Sequence, residues 1–368
     1  MTGISSLGPG YVHVPRYGRT EKALRIGVIG AGWIVRECHL PAYRKAGFSV
    51  RAIASRTTAA AERAAATADI PVVHGDWREL LADPSIDVLD VAVPPDVQPE
   101  IIKAAVRHSD HIRGILAQKP LAMDTAAAAE AIRLCDEAGI ALSVNQNMRY
   151  DQSIRALKSL LDAGRLGTVY SAQIVMHARV EWMPYAERYL RRALLIMSIH
   201  HIDAFRYLFG EPATVLASAR QDPLVAADHI DGYAAYVLEY DSGLRAVAID
   251  NCLSEIDQGI EWRVEGSAGV AKGTLGWMHH PEGAPSTIDF TTIEDPGRWL
   301  RPRWSQRWFP DGFAGTMGQL LRSVAGGEEL EISGQDHLRT MALVDACYES
   351  IRTGCNVSAV EYLVRADG

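Results

Sequence analysis

No stretch of this chain approaches the ~20 consecutive apolar residues of a membrane-spanning helix, which argues against a membrane partner. Positive charge is short too. The chain has 37 Lys and Arg against 45 Asp and Glu, a net charge of −8, whereas a nucleic-acid footprint needs a basic face. Cysteine is sparse and unorganised. The five residues (Cys38, Cys135, Cys252, Cys347 and Cys355) are odd in number and form no Cys-x-x-Cys. Reduced thiols in a cytoplasm fit that pattern better than a disulfide scaffold. The opening residues, MTGISSLGPGYVHVPRYGRTEKAL, lack the apolar core of a signal peptide. Their Gly and Pro content reads as a disordered or wrapping arm over 1–23. Internal repeats are missing, as are low-complexity tracts beyond alanine-rich helices. What is present is ordinary: 368 residues, 48% hydrophobic and 22% charged, a length that suggests two domains.

From Leu24 the pattern becomes regular. LRIGVIGAG is an apolar run ending in glycines, so a strand and a tight turn are expected. A helix should follow to about Ala46, kinked or broken at Pro41. VRAIASR predicts a second strand, and TTAAAERAAATAD a helix capped by Thr57 or Thr58. A short strand near Val72 and Val73 and a helix over Trp77 to Leu81 come next. IDVLDVAV predicts a fourth strand closed by Pro94-Pro95, then PEIIKAAVRHS a helix. RGILAQKP predicts a fifth strand, DTAAAAEAIRLCDEAG a helix from Asp124 to Gly139, and IALSVNQN a sixth strand. Wholly apolar strands alternating with helices specify a parallel sheet covered on both faces, a doubly wound α/β domain over 24–146.

After residue 146 the pattern differs. SIRALKSLLDAG predicts an amphipathic helix. TVYSAQIVMHARV, ATVLASAR, GYAAYVLEY, LRAVAIDN and GIEWRVEGS alternate with period two. Asp241-Ser242-Gly243 and Ser267-Ala268-Gly269 are hairpin signals. The segment 147–368 is therefore expected to be an α+β domain with a large, mostly antiparallel open sheet. Helices should be inserted near 186–209, and helices at about 313–325 and 335–353 should pack back.

The turn Gly30-Ala31-Gly32-Trp33-Ile34-Val35 lies between the first strand and the first helix. Its first Gly permits a tight turn and its second lets backbone approach a pyrophosphate at a helix N-terminus. Strand, turn and helix in that order point to a dinucleotide cofactor. The place usually held by a small residue is Val35, which should push the helix slightly outward. About 20 residues on, where NAD enzymes often carry an acid for the ribose diol, stands Ser55-Arg56. An Arg can face a 2′-phosphate or stack on adenine, so NADP is slightly favoured over NAD; the plain alternative is a solvated first-turn residue.

Lys119 ends the fifth predicted strand, at the edge that faces the ligand crevice in open α/β sheets. Pro120 restricts it to extended geometry, and a Lys-Pro bond can be cis. A partly desolvated lysine beside a nicotinamide would have a lowered pKa and could take the proton of a hydroxyl being oxidised. From local sequence alone, a surface lysine at a strand end reads equally well.

GAGWI, SRT, the VPP after the fourth strand, QKPLA, NQNMRY and IHHID occur in that order. Together they resemble the Gfo/Idh/MocA family of oxidoreductases, which includes inositol dehydrogenases and glucose–fructose oxidoreductase. The resemblance spans roughly residues 24 to 355. It implies a Rossmann domain, a C-terminal domain whose open sheet serves as substrate wall and oligomer interface, and a nicotinamide cofactor. Substrates would be pyranoses, cyclitols and their derivatives. Cofactor contacts are expected from Gly30, Gly32, Trp33, Ile34, Ser55, Arg56, Pro94, Pro95, Lys119 and Asn147. The family's Glu-Lys-Pro motif matches Lys119 but has Gln118 in place of its Glu, one charge fewer beside the lysine.

LLIMSIHHIDAFRYLFG predicts one amphipathic helix. Similar family members carry an Asp, then a His four residues on, then an acid three further. The His matches His200 and the last acid Asp203, but Ile196 stands where the first Asp would be. His200 would then act without that carboxylate, hydrogen-bonding the reacting hydroxyl or relaying its proton, while one of His200 and His201 can be a satisfied helix histidine. Adjacent helix positions diverge by about 100°, so His200 and His201 do not easily share a metal. No third ligand joins His200 and Asp203, since His279-His280 reads as loop, and no metal is expected. Arg149 and Tyr150 are expected at the substrate wall, with Arg149 alternatively bracing the domain interface. Trp182, Met183 and Tyr185 could face a sugar ring or aglycone, and Trp304 and Trp308 are further candidates; such clusters are as often local packing.

The leading expectation is hydride transfer between nicotinamide and a ring hydroxyl or ketone of a sugar, cyclitol or glycoside. Lys119 handles the proton and His200 assists. A second reading recycles a tightly held cofactor, between two sugars or in an oxidation–elimination on a glycoside. A third is a non-catalytic dinucleotide sensor. A homodimer or homotetramer through the C-terminal sheet is expected.

Overall fold

A computed structural model describes residues 17–179, 183–224, 228–276 and 285–367. The chain divides into two compact units, each described by itself. One holds the described residues of 14–147 and 310–338, the other those of 148–309 and 339–368, so that residues 310–338 cluster with the amino-terminal unit. Within the expected arm, 1–16 lie outside the described residues. Arg19–Ala23 form a helical turn, and the Tyr17 hydroxyl donates to the Ala314 carbonyl at 2.8 Å, so this part of the arm is fixed.

The amino-terminal unit holds six strands: β1 (Arg25–Ile29), β2 (Ser49–Ala54), β3 (Val72–His74), β4 (Val88–Val91), β5 (Gly114–Ala117) and β6 (Ala141–Val144), in the order β3-β2-β1-β4-β5-β6. All pairs are parallel. Strands β4 and β5 are buried at every position, as expected where helices cover both faces. The first helix starts at Trp33, takes a π-type turn over Val35–His39 and becomes α over Leu40–Ala46. Pro41 falls in the first turn of the α segment, where its missing N–H costs least. Thr57 occupies the cap of the helix Thr58–Ala68 without a side-chain bond, whereas Asp124 accepts from the Ala127 amide at 2.8 Å and caps Thr125–Glu137. Helix Asp311–Gly326 lies against β5 and β6. A Cβ on Gly114 would come within 2.7 Å of Val324 and 3.1 Å of Leu320, so glycine permits that close packing.

The second unit carries an eight-stranded sheet: β7 (Val169–His177), β8 (Thr214–Arg220), β9 (Tyr233–Glu239), β10 (Arg245–Asn251), β11 (Gly259–Gly266), β12 (Gly269–Leu275), β13 (Thr287–Thr292) and β14 (Val357–Ser358). Its order is β13-β12-β11-β7-β10-β9-β8-β14. Every pair is antiparallel except β7 with β10. Burial alternates along β9 and β10, as one covered face requires. Asp241-Ser242-Gly243 joins β9 to β10, with Gly243 at φ +89°. Gly269 is already paired with Gly266, so the β11–β12 link is two residues rather than three. Asp151 caps helix Gln152–Asp162 by accepting from the Ser153 and Ile154 amides at 2.8 and 3.2 Å. No helix among the described residues is long and apolar enough to cross a membrane.

Candidate active site

The two glycines of the first turn answer different needs. Gly30 sits at φ +121°, and a Cβ there would lie 2.2 Å from the Ala92 carbonyl oxygen. Only glycine fits a backbone that close to the end of β4. A Cβ on Gly32 would meet nothing within 4 Å. The protein's own packing leaves that space open, directly in front of a helix that begins at Trp33. A helix start with its N–H groups facing open space suits an anion. Trp33 is 38% exposed, Ile34 is half-buried and Val35 fully buried. Ser55, half-buried, and Arg56, exposed, follow β2. Pro94 and Pro95 follow β4, and the Pro94 carbonyl accepts from Val97 and Gln98 at 3.0 and 3.3 Å to start the next helix. Asn147 follows β6, with its side-chain amide donating to the Asn145 carbonyl at 3.5 Å. These residues gather at the carboxyl ends of strands around β1, where strand order reverses; in such sheets that is the ligand crevice. The residues present fit a dinucleotide.

Lys119 lies two residues beyond β5, in the turn 118–121, and its peptide bond to Pro120 is cis. Its surface is partly accessible, yet burial of the amine brings its pKa down to about 7. The turn is clamped by Gln98, which solvent does not reach. The Gln98 amide donates to the carbonyls of Gln118 (3.0 Å) and Pro120 (2.8 Å). Its oxygen accepts from the Gln118 N–H at 2.7 Å. The Leu121 N–H donates to His337 Nε2 at 3.3 Å. On the other side, the Gln118 side-chain amide lies 2.8 Å from His39 Nε2, and His39 Nδ1 lies 2.6 Å from Asp90 Oδ2.

In the sheet unit, the expected helix of 194–210 is a π-type segment, Ala193–Ser198, followed by an α-helix, Ile199–Phe209. Asp231 anchors its start, accepting from the amides of Arg192 and Leu194 at 2.8 and 2.7 Å and from the Tyr348 hydroxyl at 2.8 Å. Burial raises the Asp231 pKa against those bonds. Ile196 is buried in the π segment. His201 places Nδ1 2.6 Å from Asp250 Oδ1 on β10, which makes it the satisfied histidine of the two. His200 is 8% exposed, with the buried Trp308 edge-on at 6.1 Å.

Arg149, expected either at the substrate wall or as a brace, donates through Nε and a terminal nitrogen to the two oxygens of Asp203, both at 2.7 Å. Solvent reaches 4% of one side chain and none of the other. Thr340 donates to the same carboxylate at 3.0 Å. The pair braces the turn Asn147–Tyr150 onto helix Ile199–Phe209. Tyr150 is likewise buried, with the Arg155 guanidinium 4.1 Å over its ring. The Tyr185 hydroxyl donates to Met183 sulfur at 3.2 Å, and Trp304 is half-buried. Trp182 and His279-His280 lie outside the described residues. Among the described residues one group, His108, Asp110 and His111, brings three possible metal-ligand atoms within 4.8 Å of one another. It precedes β5, at the sheet edge opposite the glycine turn, and His111 is already bonded to Asp110 and the Leu81 carbonyl.

Residues 24–146 match the model of an oxidoreductase family with an NAD-binding Rossmann fold, GFO/IDH/MocA, and residues 154–272 match that family's C-terminal domain. The chain belongs to the GFO/IDH/MocA family. It is 25% identical to a D-apiose dehydrogenase of Paraburkholderia graminis, over 92% of this chain and 90% of that protein. It is also 25% identical to an inositol 2-dehydrogenase of Rhizobium meliloti, over 89% and 97%. The crystal structure of an oxidoreductase from Agrobacterium radiobacter, complexed with NAD+, L-tartaric acid and magnesium, superposes with a TM-score of 0.80. The alignment covers 92% of this chain and 99% of that one at 21% identity, a likeness of fold alone.

For a GFO/IDH/MocA member, sequence reading found the glycine turn and the lysine but missed what holds them. Asp90 had a signal, as the one charge inside the strand VLDV, costly there without a partner. Gln98 and His39 had none, because their partners are 20 and 51 residues away.

Proposed function

We propose that this chain is an NAD(P)-dependent dehydrogenase or reductase acting on a ring hydroxyl or ketone of a sugar, cyclitol or glycoside. The observation that carries the reading is the Lys119 amine, brought by burial to a pKa of about 7 at the carboxyl edge of the sheet that bears the glycine turn. A nicotinamide dinucleotide, when bound, supplies the two-electron acceptor or donor. Gly30 and Gly32 would hold its pyrophosphate, and Arg56 would meet a 2′-phosphate or the adenine, which favours NADP slightly. In oxidation, Lys119 as free amine takes the hydroxyl proton; in reduction its ammonium returns a proton to the ketone oxygen. His200 is proposed to assist the proton transfer.

Self-association through the open sheet is part of the reading. Val175, Leu216, Val237, Val247 and Ile249 are partly exposed in adjacent register on its outward face.

The test is a panel of aldoses, cyclitols and glycosides assayed for reduced nicotinamide with NAD+ and NADP+, run beside mass spectrometry of the purified protein. Turnover on a polyol ring, lost in Lys119→Ala with dinucleotide binding kept, supports the reading. Tight binding without turnover on any member sinks it in favour of a sensor. Dinucleotide that co-purifies and does not exchange redirects it to a recycled cofactor.

A further inference from the structure

Beneath the turn that carries Lys119 lies a chain of buried polar groups that the reaction itself does not use. Asp90 on β4 and His39 in the π-type turn are 1% and 0% exposed. A carboxylate only accepts, so the 2.6 Å contact with Asp90 Oδ2 assigns a hydrogen to His39 Nδ1. The Tyr43 hydroxyl donates to the same oxygen at 2.9 Å. Burial, with the Asp90 charge behind it, raises the Tyr43 pKa well above its usual value, so that hydroxyl stays protonated. The far nitrogen, Nε2, faces two amides, Gln118 at 2.8 Å and Asn145 at 3.3 Å. Asn145 Oδ1 lies 2.8 Å from the Thr316 hydroxyl, which is also 3.1 Å from the Phe313 carbonyl, and Asn145 sets its nitrogen toward the ring. The groups around the imidazole are then complete: Tyr43 from its own helix, Asp90 from β4, Gln118 beyond β5, Asn145 beyond β6, and Phe313, with Thr316 behind Asn145, from helix Asp311–Gly326. Among these described neighbours Asp90 brings the one carboxyl group.

We propose that the Asp90–His39 pair is a positioning device for the catalytic turn. It holds His39 as a neutral ring with hydrogen on Nδ1 and a bare lone pair on Nε2, and that lone pair fixes the Gln118 side chain beside Lys119. The inference rests on the dehydrogenase reading for its effect on turnover, but not for the state of the ring. It also accounts for the letter at 118. An amide N–H satisfies a bare nitrogen, whereas a carboxylate would confront lone pair with lone pair and force a proton onto the ring. With Gln118 and the His39 ring both uncharged, the turn holds no second charge beside Lys119.

The experiment has two arms. Nitrogen NMR of histidine-labelled, cofactor-free protein, assigned by loss of the signal in His39→Gln, reads the ring directly. The expected result is one buried histidine with protonated Nδ1 and unprotonated Nε2 across neutral pH, and a doubly protonated ring in Gln118→Glu. An Nε2–H tautomer or an imidazolium in the wild type overturns the proposal whether or not the chain is a dehydrogenase. The second arm is kinetic. His39→Leu fills the space without donor or acceptor and should lower kcat by ~10-fold, since small misplacements of a reacting group cost that much or more. KM and dinucleotide Kd should stay within about twofold. His39→Gln, with one donor and one acceptor like the neutral ring, should recover most of the loss. Unchanged kcat in a folded His39→Leu, or equal loss in both variants, removes the positioning role. If His39→Leu fails to fold, His39→Gln and the wild-type spectrum still decide.

Discussion

His39 and His201 each set Nδ1 2.6 Å from a carboxylate out of reach of solvent, Asp90 in one unit and Asp250 in the other. Each carboxylate also neighbours a buried tyrosine. Tyr43 donates to Asp90, and burial together with the Asp250 charge raises the Tyr236 pKa well above normal. The local chemistry is nearly the same, but the attachments differ. The far nitrogen of His39 meets Gln118, next to Lys119. His201 ties helix Ile199–Phe209 to β10 and so places its neighbour His200. A buried Asp–His pair is thus not a catalytic signature by itself; what its outer edge touches decides its use.

The sharpest way to separate reacting from supporting groups is Lys119→Ala. It should cut kcat by ~10³-fold, within the range for loss of general acid–base catalysis, while dinucleotide Kd by fluorescence titration moves less than about twofold. If Kd collapses with kcat, Lys119 is a binding group and the contrast with its supports fails. His201→Ala should do the opposite, leaving kcat within a few-fold but lowering stability by about 3 kcal/mol in urea unfolding, as expected when one partner of a buried pair is removed. Full stability with lost turnover would move His201 into the chemistry.

A pH series sharpens the lysine's share. Below about 7 the amine is protonated and cannot accept the hydroxyl proton. For oxidation, kcat/KM should therefore fall about tenfold per unit as pH drops below 7 and level off above it. A flat profile between pH 6 and 8 would remove Lys119 as the base. The two turn glycines offer a smaller contrast. Gly32→Ala should keep the melting temperature and weaken dinucleotide binding by roughly tenfold, because its Cβ enters only open space where a pyrophosphate would lie. Gly30→Ala should lose stability, since its Cβ strikes the Ala92 carbonyl. Equal effects at both would show that the turn is purely structural.

The sequence spoke most clearly where local pattern and global fold agree. Apolar strands flanked by helices announced the parallel sheet, and period-two runs announced β7 to β11. It was quiet at the sheet's margins. β12 has two glycines among its seven residues, and β14 spans two residues, Val357–Ser358; such strands exist because a partner offers an edge, not because their own letters insist. The final helix, Ala359–Asp367, also went unmarked. Polar pairing was the least legible. Arg149 and Asp203 are 54 residues apart, and their letters could equally have faced a ligand. Only the folded chain shows that they face each other.

Helix Asp311–Gly326 belongs to the unit that begins at the other end of the chain, and this bears on synthesis. A ribosome that has released residue 147 has not yet supplied the layer against β5 and β6; that arrives roughly 190 residues later, when 338 emerges. At usual elongation rates the wait is about 10 to 40 s. Until then β5 and β6 lack the layer that helix Asp311–Gly326 supplies, so the amino-terminal unit is complete only after most of the chain has been made.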